Sequence, residues 1–215
     1  GRTHIRVILE DEGGIGTVVV TMGAPGTGAV DPLPGILSLR TQFGFRVHAD
    51  AAYGGYFGLA DNLDEEAGAA FDRLGEADSV VIDPHKHGLQ PYGCGAVLFR
   101  DATVGRLYRH DSPYTYFTSA ELHLGEISLE CSRPGASAVA LWATQRLLPL
   151  ARGGEFARML SDSRAAALEF AAGLERDGRF LVPFEPQLDI VVWAVRAPGV
   201  EAASRSARAI FDEAA

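Results

Sequence analysis

Two short polar blocks in the first half of the chain contain the residue types that aldehyde chemistry needs. Lys86 lies in the block DPHKHG (residues 83–88), directly after an apolar run, and Asp50 lies in the earlier block HADAAYGG (residues 48–55). A lysine amine forms a Schiff base with an aldehyde, and a carboxylate beside a pyridine nitrogen keeps that nitrogen protonated. Together these groups predict a site for pyridoxal 5′-phosphate (PLP), whose protonated ring accepts electrons.

The surroundings of Lys86 distinguish it from an ordinary surface lysine, which is the alternative for any single lysine. His85 and His87 flank it, and it follows the predicted strand over residues 79–82. Ligands bind at the carboxyl ends of strands in parallel sheets. An amine attacks an aldehyde only after losing its proton, and partial burial and nearby cationic groups promote that loss.

Small residues and another histidine accompany Asp50. Ala51 and Ala52 leave room for a flat ring, and a carboxylate facing a pyridinium makes a charge-assisted hydrogen bond. His48 shares a strand face with Asp50 because side chains alternate with a period of two. We expect His48 to support the site indirectly; a core histidine with satisfied hydrogen bonds is the alternative.

Strands and helices alternate around these blocks, which indicates an α/β fold. We predict strands over residues 17–22, 45–49, 79–82, 94–99 and 189–194. We predict helices over residues 32–43, 64–77, 134–150, 155–176 and 200–215. Crossover helices indicate a largely parallel sheet, and the close spacing of the third and fourth strands indicates one antiparallel or irregular excursion.

The chain divides into three predicted parts. Residues 1–150 form the later portion of a cofactor-binding large domain, and residues 151–180 form a long connecting helix. Residues 181–215 begin a smaller α/β domain that is incomplete. We therefore expect the chain to be the middle of a longer protein.

Composition argues against several classes of function. The 215 residues carry a net charge of −9, which repels nucleic-acid backbones. No apolar stretch approaches the roughly 18 residues that a membrane span needs. The two cysteines form no CxxC pair, so we predict no metal site and a reducing, cytoplasmic location.

One glycine-rich segment has the spacing of a phosphate-binding loop. The segment GAPGTG (residues 23–28) follows a predicted strand, as such a loop would. Ala29 and Val30 stand where the required Lys and Ser/Thr must be, so the phosphate charge and the magnesium ligand are both missing. A nucleotide site is therefore disfavoured.

The two polar blocks, in this order, resemble the group II PLP-dependent amino-acid decarboxylases. That family includes aromatic amino-acid, glutamate, histidine and diaminobutyrate decarboxylases. The segments TMG (21–23) and GAVDP (28–32) add to the likeness, which covers roughly residues 15–150. The resemblance implies the aspartate-aminotransferase fold (fold type I) and a homodimer. It also implies decarboxylation of an L-amino acid to its amine, with release of carbon dioxide.

The resemblance also implies roles for individual residues. Lys86 would be the Schiff-base lysine, and Asp50 would bind the pyridine nitrogen. Ala52 would pack against the ring, and His85 would lie near the phosphate.

The chain departs from the family pattern at three places. Asp83 stands where several members carry Asn. Many members have Gly-Thr-Thr where this chain has GAP (23–25), so the hydroxyl near the cofactor would be lost or supplied by Thr21 or Thr27. The segments that supply the family's phosphate-binding loop and its ring-stacking histidine would lie upstream of Gly1.

Two further roles fall in a polar stretch past the lysine. Tyr116 is our choice among Tyr108, Tyr114 and Tyr116 for the acid that protonates the substrate carbon, and a packed aromatic in a dimer contact is the alternative. Arg133 would bind a substrate carboxylate or the phosphate, or else form a structural salt bridge. A lyase or aminotransferase of the same fold, and a non-catalytic fragment that keeps the fold, remain alternatives for the whole chain.

Overall fold

The computed structural model of the chain describes residues 6, 8–10, 14–107 and 135–214. Within these residues the main sheet contains strands β1 Thr17–Thr21, β2 Arg46–Asp50, β3 Ser79–Ile82 and β4 Ala96–Phe99. A small antiparallel pair contains β5 Phe180–Leu181 and β6 Ala194–Val195. The α-helices are α1 Leu33–Phe43, α2 Glu65–Asp72, α3 Ala136–Leu147, α4 Glu155–Asp177 and α5 Val200–Ala214. Short 3-10 helices cover Gly55–Leu59, Leu74–Glu76 and Ala102–Leu107.

The strands of the main sheet lie in sequence order. β1 pairs with β2 and β2 with β3 in parallel, while β3 pairs with β4 antiparallel. This arrangement confirms the predicted parallel sheet with one antiparallel excursion. In the register, Thr21 lies beside Asp50 and Asp50 beside Val81. The carboxyl ends of the three parallel strands therefore lie at one edge of the sheet.

Local signals set the two crossover helices between these strands. α1 stops at Gly44, whose φ of 73° suits glycine and whose N–H donates to the Arg40 carbonyl at 2.8 Å. The Asp64 side chain caps α2 by accepting from the Ala67 N–H at 2.7 Å. Both ends agree with the sequence prediction. The helix predicted over 64–77 is shorter, because after Asp72 the chain tightens into a 3-10 turn.

One face of the parallel sheet supplies the core. Val20, Val47 and Ala49 on that face are at most 1% exposed, and the apolar residues of α1 pack against them. Val19 on the opposite face is 59% exposed. Burying side chains such as Ile36 stabilises the fold by about 1.5–3 kcal/mol each. No helix in the described parts of the chain has the length and apolar character that a membrane crossing requires.

The strand predicted over residues 189–194 is wrong. Only Ala194 and its neighbour Val195 are in a strand, and residues 186–190 run against the loops of the main sheet instead. Leu188 is fully buried there and approaches Gly23 and Gly54 closely. Apolar and β-branched residues after position 189 suggested a strand, but tertiary contacts decide the conformation. The two-residue strand β5 was not predicted, because two residues carry no periodic signal.

A buried arginine fixes this segment against helix α4. Arg164 is 4% exposed, and its guanidinium donates to the carbonyls of Gln187 at 2.8 Å, Pro186 at 3.4 Å and Asn62. The Gln187 side chain in turn accepts from the Val30 N–H at 2.9 Å. The segment is therefore held on both sides. The division of the chain at residues 150 and 180 stays a prediction.

Replacing Gly54 with alanine is expected to destabilise the fold by about 1–3 kcal/mol. A Cβ at Gly54 would lie 2.1 Å from the Met22 carbonyl oxygen and 2.9 Å from Leu188 Cδ1, so the backbone must move. The matched control is Gly68→Ala in α2, where an added Cβ meets nothing within 4 Å. Because alanine favours a helix, the free energy of unfolding of this control should rise by about 0.5–1 kcal/mol. Urea unfolding measures both, and equal stabilities would contradict the packing described.

Replacing Arg164 with methionine is expected to cost about 2–4 kcal/mol, because buried carbonyl oxygens lose their donors. Arg158→Met is the control on the same helix, since Arg158 is exposed and should change stability by no more than about 0.5 kcal/mol. Urea unfolding again provides the measurement. If Arg164→Met lowers the free energy of unfolding no more than Arg158→Met does, other contacts hold the segment over residues 186–190.

Candidate active site

The two polar blocks found in the sequence lie next to each other at the carboxyl edge of the sheet. The Ala51 N–H donates to the Val81 carbonyl at 3.0 Å, and the Asp83 N–H donates to the Ala52 carbonyl at 3.3 Å. Backbone pairing thus continues past the ends of β2 and β3. As a result, the block around Asp50 and the turn that carries Lys86 share one edge of the sheet.

Asp50 keeps an acceptor oxygen free. Its Oδ1 accepts from the Ala52 N–H at 3.2 Å, while its Oδ2 accepts no hydrogen bond from any residue that the structure describes. The carboxylate is half-buried at the strand end. Ala52 is partly exposed, whereas Ala51 is fully buried, so Ala52 is the small side chain that borders open space. This arrangement suits a ring N–H that needs an acceptor.

Thr21 and His48 line the same face of the sheet as Asp50. Thr21 is the register partner of Asp50, and its backbone is fixed by the Asp31 carboxylate, which accepts from the Thr21 N–H at 2.7 Å. His48 Nδ1 lies 2.7 Å from Ser79 Oγ on β3. His48 therefore contacts the neighbouring strand rather than Asp50 itself. The Thr27 hydroxyl accepts from the Ala29 N–H at 3.3 Å within its own turn.

The Lys86 amine is paired with Asp83. Lys86 Nζ lies 2.9 Å from Asp83 Oδ2, and its side chain is about one-third exposed. His85 Nε2 lies 3.8 Å from the same oxygen. His85 Nδ1 donates to the Cys94 carbonyl at 2.6 Å, and because a carbonyl only accepts, this nitrogen carries the proton. His85 Nε2 is left available to a ligand.

The turn that presents Lys86 is tightly packed. Pro84 is buried, and a Cβ at Gly88 would lie 2.6 Å from both Pro84 Cα and the Tyr56 hydroxyl oxygen, so only glycine fits. The Lys86 N–H donates to the Asp83 carbonyl at 2.9 Å. The backbone beneath the amine is therefore firmly positioned.

A polar cluster beside Lys86 was not predicted from the sequence. Asp189 accepts from the Tyr53 hydroxyl at 2.7 Å, from His87 Nε2 at 3.1 Å and from the Ser163 hydroxyl at 3.0 Å. His87 Nδ1 donates to the Tyr53 carbonyl at 3.1 Å. Both ring nitrogens of His87 face acceptors, so both bonds form only when the ring carries two protons.

The charges in this cluster follow from burial and hydrogen bonding. Burial alone would raise the pKa of Asp189, but hydrogen bonds from His87 and Tyr53, the charge of His87 and the Ser163 hydroxyl hold that pKa below its usual value. Burial, the hydrogen bond to Asp189 and its negative charge raise the pKa of Tyr53. Ionised Asp189 thus stabilises the fold fully at pH values above the ordinary pKa of an aspartate. That stabilisation is lost as the pH falls through the lowered pKa of Asp189 in the fold.

Composition also singles out one residue of this site. Lys86 is the only lysine among the 215 residues, whereas the other cationic positions are arginines. The Asp189 cluster had a weaker signal, a single acidic residue in the apolar run LDIVVW (188–193). Tyr116, Arg133 and the neighbouring tyrosines lie outside the described residues, and their roles stay predictions.

The residues present fit a PLP molecule. Asp50 offers a free carboxylate oxygen to a protonated ring nitrogen, and the small, partly exposed Ala52 follows close by. Lys86 offers a partly exposed amine at the same edge of the sheet. His85 Nε2 offers a further polar contact. These are the groups that covalent attachment and ring-nitrogen binding require.

Comparison with known proteins places the chain in a family. The family model described as the pyridoxal-dependent decarboxylase conserved domain matches residues 3–196. An L-tyrosine decarboxylase of Enterococcus faecium is 31% identical over 206 residues, covering 80% of this chain and 34% of that protein. An L-aspartate/L-glutamate decarboxylase of Pyrococcus horikoshii is 30% identical over 176 residues, covering 81% of this chain and 44% of that protein.

A solved structure gives the same result. Mouse CSAD in its apo form aligns with a TM-score of 0.74 at 25% identity, covering 92% of this chain and 40% of that chain. The likeness confirms the predicted fold of the PLP-dependent decarboxylases. The chain spans between a third and a half of the length of the proteins it matches. The family match also confirms the expectation of a pyridoxal cofactor. The chain belongs to the pyridoxal-dependent decarboxylase family.

Proposed function

We propose that this chain carries the cofactor-binding core of an L-amino-acid decarboxylase, in which Lys86 binds PLP covalently and Asp50 binds its ring nitrogen. The observation that carries the proposal is the register of the sheet, which puts the Asp50 block and the Lys86 turn at one edge. When bound, PLP supplies a ring that accepts the electron pair left on the substrate's α-carbon as carbon dioxide departs.

Asp50 contributes a negative charge at the place where the ring nitrogen needs one. Its free Oδ2 accepts the N–H of a protonated ring, and the charge favours that protonated form. The Ala52 N–H holds the other oxygen, so the carboxylate is oriented before the cofactor arrives. Ala52 itself leaves the ring face unobstructed.

Lys86 must lose a proton before its nitrogen can attack an aldehyde. The Asp83 carboxylate, 2.9 Å from Nζ, pairs with the ammonium, so this ion pair must separate before the amine attacks. The departure from the family's Asn thus gives Lys86 a counter-ion in the cofactor-free protein. His85, whose Nε2 donates to a phosphate oxygen only when that nitrogen also carries a proton, is the proposed phosphate contact, and Thr21 supplies a hydroxyl near Asp50.

The remaining roles come from the family resemblance. Tyr116 is the proposed proton donor to the substrate carbon, and Arg133 is the proposed partner of the substrate carboxylate. The proposed assembly is a homodimer in the cytoplasm. Because one relative is an L-tyrosine decarboxylase and another an L-aspartate/L-glutamate decarboxylase, the substrate is proposed only as an L-amino acid.

Borohydride reduction of the PLP-loaded full-length protein is expected to fix the cofactor on Lys86, as shown by peptide mapping. Lys86→Ala should abolish the label in this part of the chain, which then contains no lysine. A matched control combines Lys86→Ala with Arg158→Lys, which restores an exposed amine elsewhere and should stay unlabelled. A label on any other residue, or labelling of the control, would refute the assignment of Lys86.

Replacing Asp50 with asparagine is expected to reduce decarboxylation by about 10²-fold or more, because the ring nitrogen loses its charged partner. Lys86 should still be labelled by PLP and borohydride, since its amine is unchanged. Asp212→Asn on α5 removes an exposed carboxylate and should leave activity intact. Carbon dioxide and amine release measure the reaction, and a keto-acid product would instead indicate an aminotransferase. Full activity of Asp50→Asn would contradict its role.

A further inference from the structure

Asp189 lies in the last part of the chain, yet it contacts the turn that carries Lys86. We propose that Asp189 is a positioning residue for Lys86: it holds the neighbouring His87 ring and thereby keeps the lysine amine directed at the cofactor edge. The inference rests on the proposed function, since it concerns how Lys86 captures PLP. Tyr116, Arg133 and the strand-end residues play no part in it.

The His87 ring is restrained on every side that the structure describes. Its Nε2 lies 3.1 Å from Asp189 Oδ2, and its Nδ1 lies 3.1 Å from the Tyr53 carbonyl oxygen. The rings of Tyr53 and Phe57 meet it edge to face, with centroids 4.7 and 4.9 Å away. Asp189 supplies the only carboxylate within ion-pair distance of His87 among the described residues.

The position of His87 is transmitted to Lys86 through the backbone. The two residues share a peptide bond, and on the far side Gly88 is packed against Pro84 and Tyr56 with no room for a Cβ. On the near side the Lys86 N–H is bonded to the Asp83 carbonyl. The restrained His87 ring thus adds a further anchor to the short segment between these two fixed points, which includes Lys86.

The Asp189 carboxylate is the one charged group among the described contacts of the His87 ring. The side chains of His87 and Asp189 are only 18% and 13% exposed, so solvent screens the pair weakly. The other groups that face Asp189 are the hydroxyls of Tyr53 and Ser163, and both donate to it. Neither can replace its negative charge. Without that charge, the contact at His87 Nε2 is reduced to a neutral hydrogen bond, which is weaker.

The test compares how fast the cofactor-free, full-length protein captures PLP. The visible absorption that appears when Lys86 bonds to PLP is the readout, followed by stopped flow and confirmed by borohydride trapping. Asp189→Asn keeps the side-chain shape and removes the charge, and capture is expected to slow about tenfold, as for the loss of one charge-assisted hydrogen bond. Ser163→Ala is the matched control, because it removes another donor to the same Asp189 oxygen and should change the rate less than twofold.

A double-mutant cycle separates positioning from a general structural role. His87→Asn should slow capture by about the same factor as Asp189→Asn, and the second change should add nothing to the first if Asp189 acts through His87. If the double variant instead slows capture by the product of the two single factors, the two residues act independently and the inference is overturned. Thermal unfolding checks that each variant is folded. If Asp189→Asn does not fold, His87→Asn alone is tested, and it should slow capture by about the same factor.

The outcomes distinguish this inference from the function on which it rests. Capture of PLP by Asp189→Asn at the wild-type rate, with Lys86 labelled, overturns only the role of Asp189. A wild-type protein that never attaches PLP to Lys86 overturns the proposed function and this inference together. Slowed capture in Asp189→Asn and His87→Asn, with no slowing in Ser163→Ala, supports the positioning role.

Discussion

Parallel backbone pairing of β1, β2 and β3 is the interaction on which the candidate site depends. The register brings Thr21, Asp50 and Val81 into one row, and hydrogen bonds beyond the strands keep the two following loops together. A shift of one residue in this register would turn Asp50 to the buried face of the sheet. The buried face, built from Val20, Val47 and Ala49, makes such a shift costly. Core packing thus fixes the position of a carboxylate that itself lies outside the core.

The segment over residues 186–190 adds a second layer of support from a distant part of the chain. Leu188 fills the space above Gly23 and Gly54, and Arg164 holds the carbonyls before it. Asp189 then reaches the His87 ring beside Lys86. The two proposed cofactor-binding residues are therefore positioned by different means, Asp50 by strand pairing and Lys86 by a packed turn with polar restraints.

The predictable parts of this structure are those whose causes are local in sequence. Gly44 and Asp64 end and begin helices through contacts within four residues, and Asp50 and Lys86 each follow a recognisable strand. The Asp189 cluster could not be predicted, because its partners Tyr53 and His87 lie 136 and 102 positions away. The run after position 189 has strand-forming residues, yet polar contacts and the burial of Leu188 hold its start against the main sheet. The pairing of Lys86 with Asp83 depends on a side-chain rotamer that sequence does not specify.

A crystal structure of the full-length protein with PLP bound would show whether Lys86 and Asp50 hold the cofactor. We expect continuous density between Lys86 Nζ and the cofactor, with the ring nitrogen at hydrogen-bond distance, about 2.7–3.2 Å, from an oxygen of Asp50. We also expect the ring to lie at the carboxyl edge of β1, β2 and β3. A cofactor attached to another residue, or a ring nitrogen directed away from Asp50, would contradict these roles.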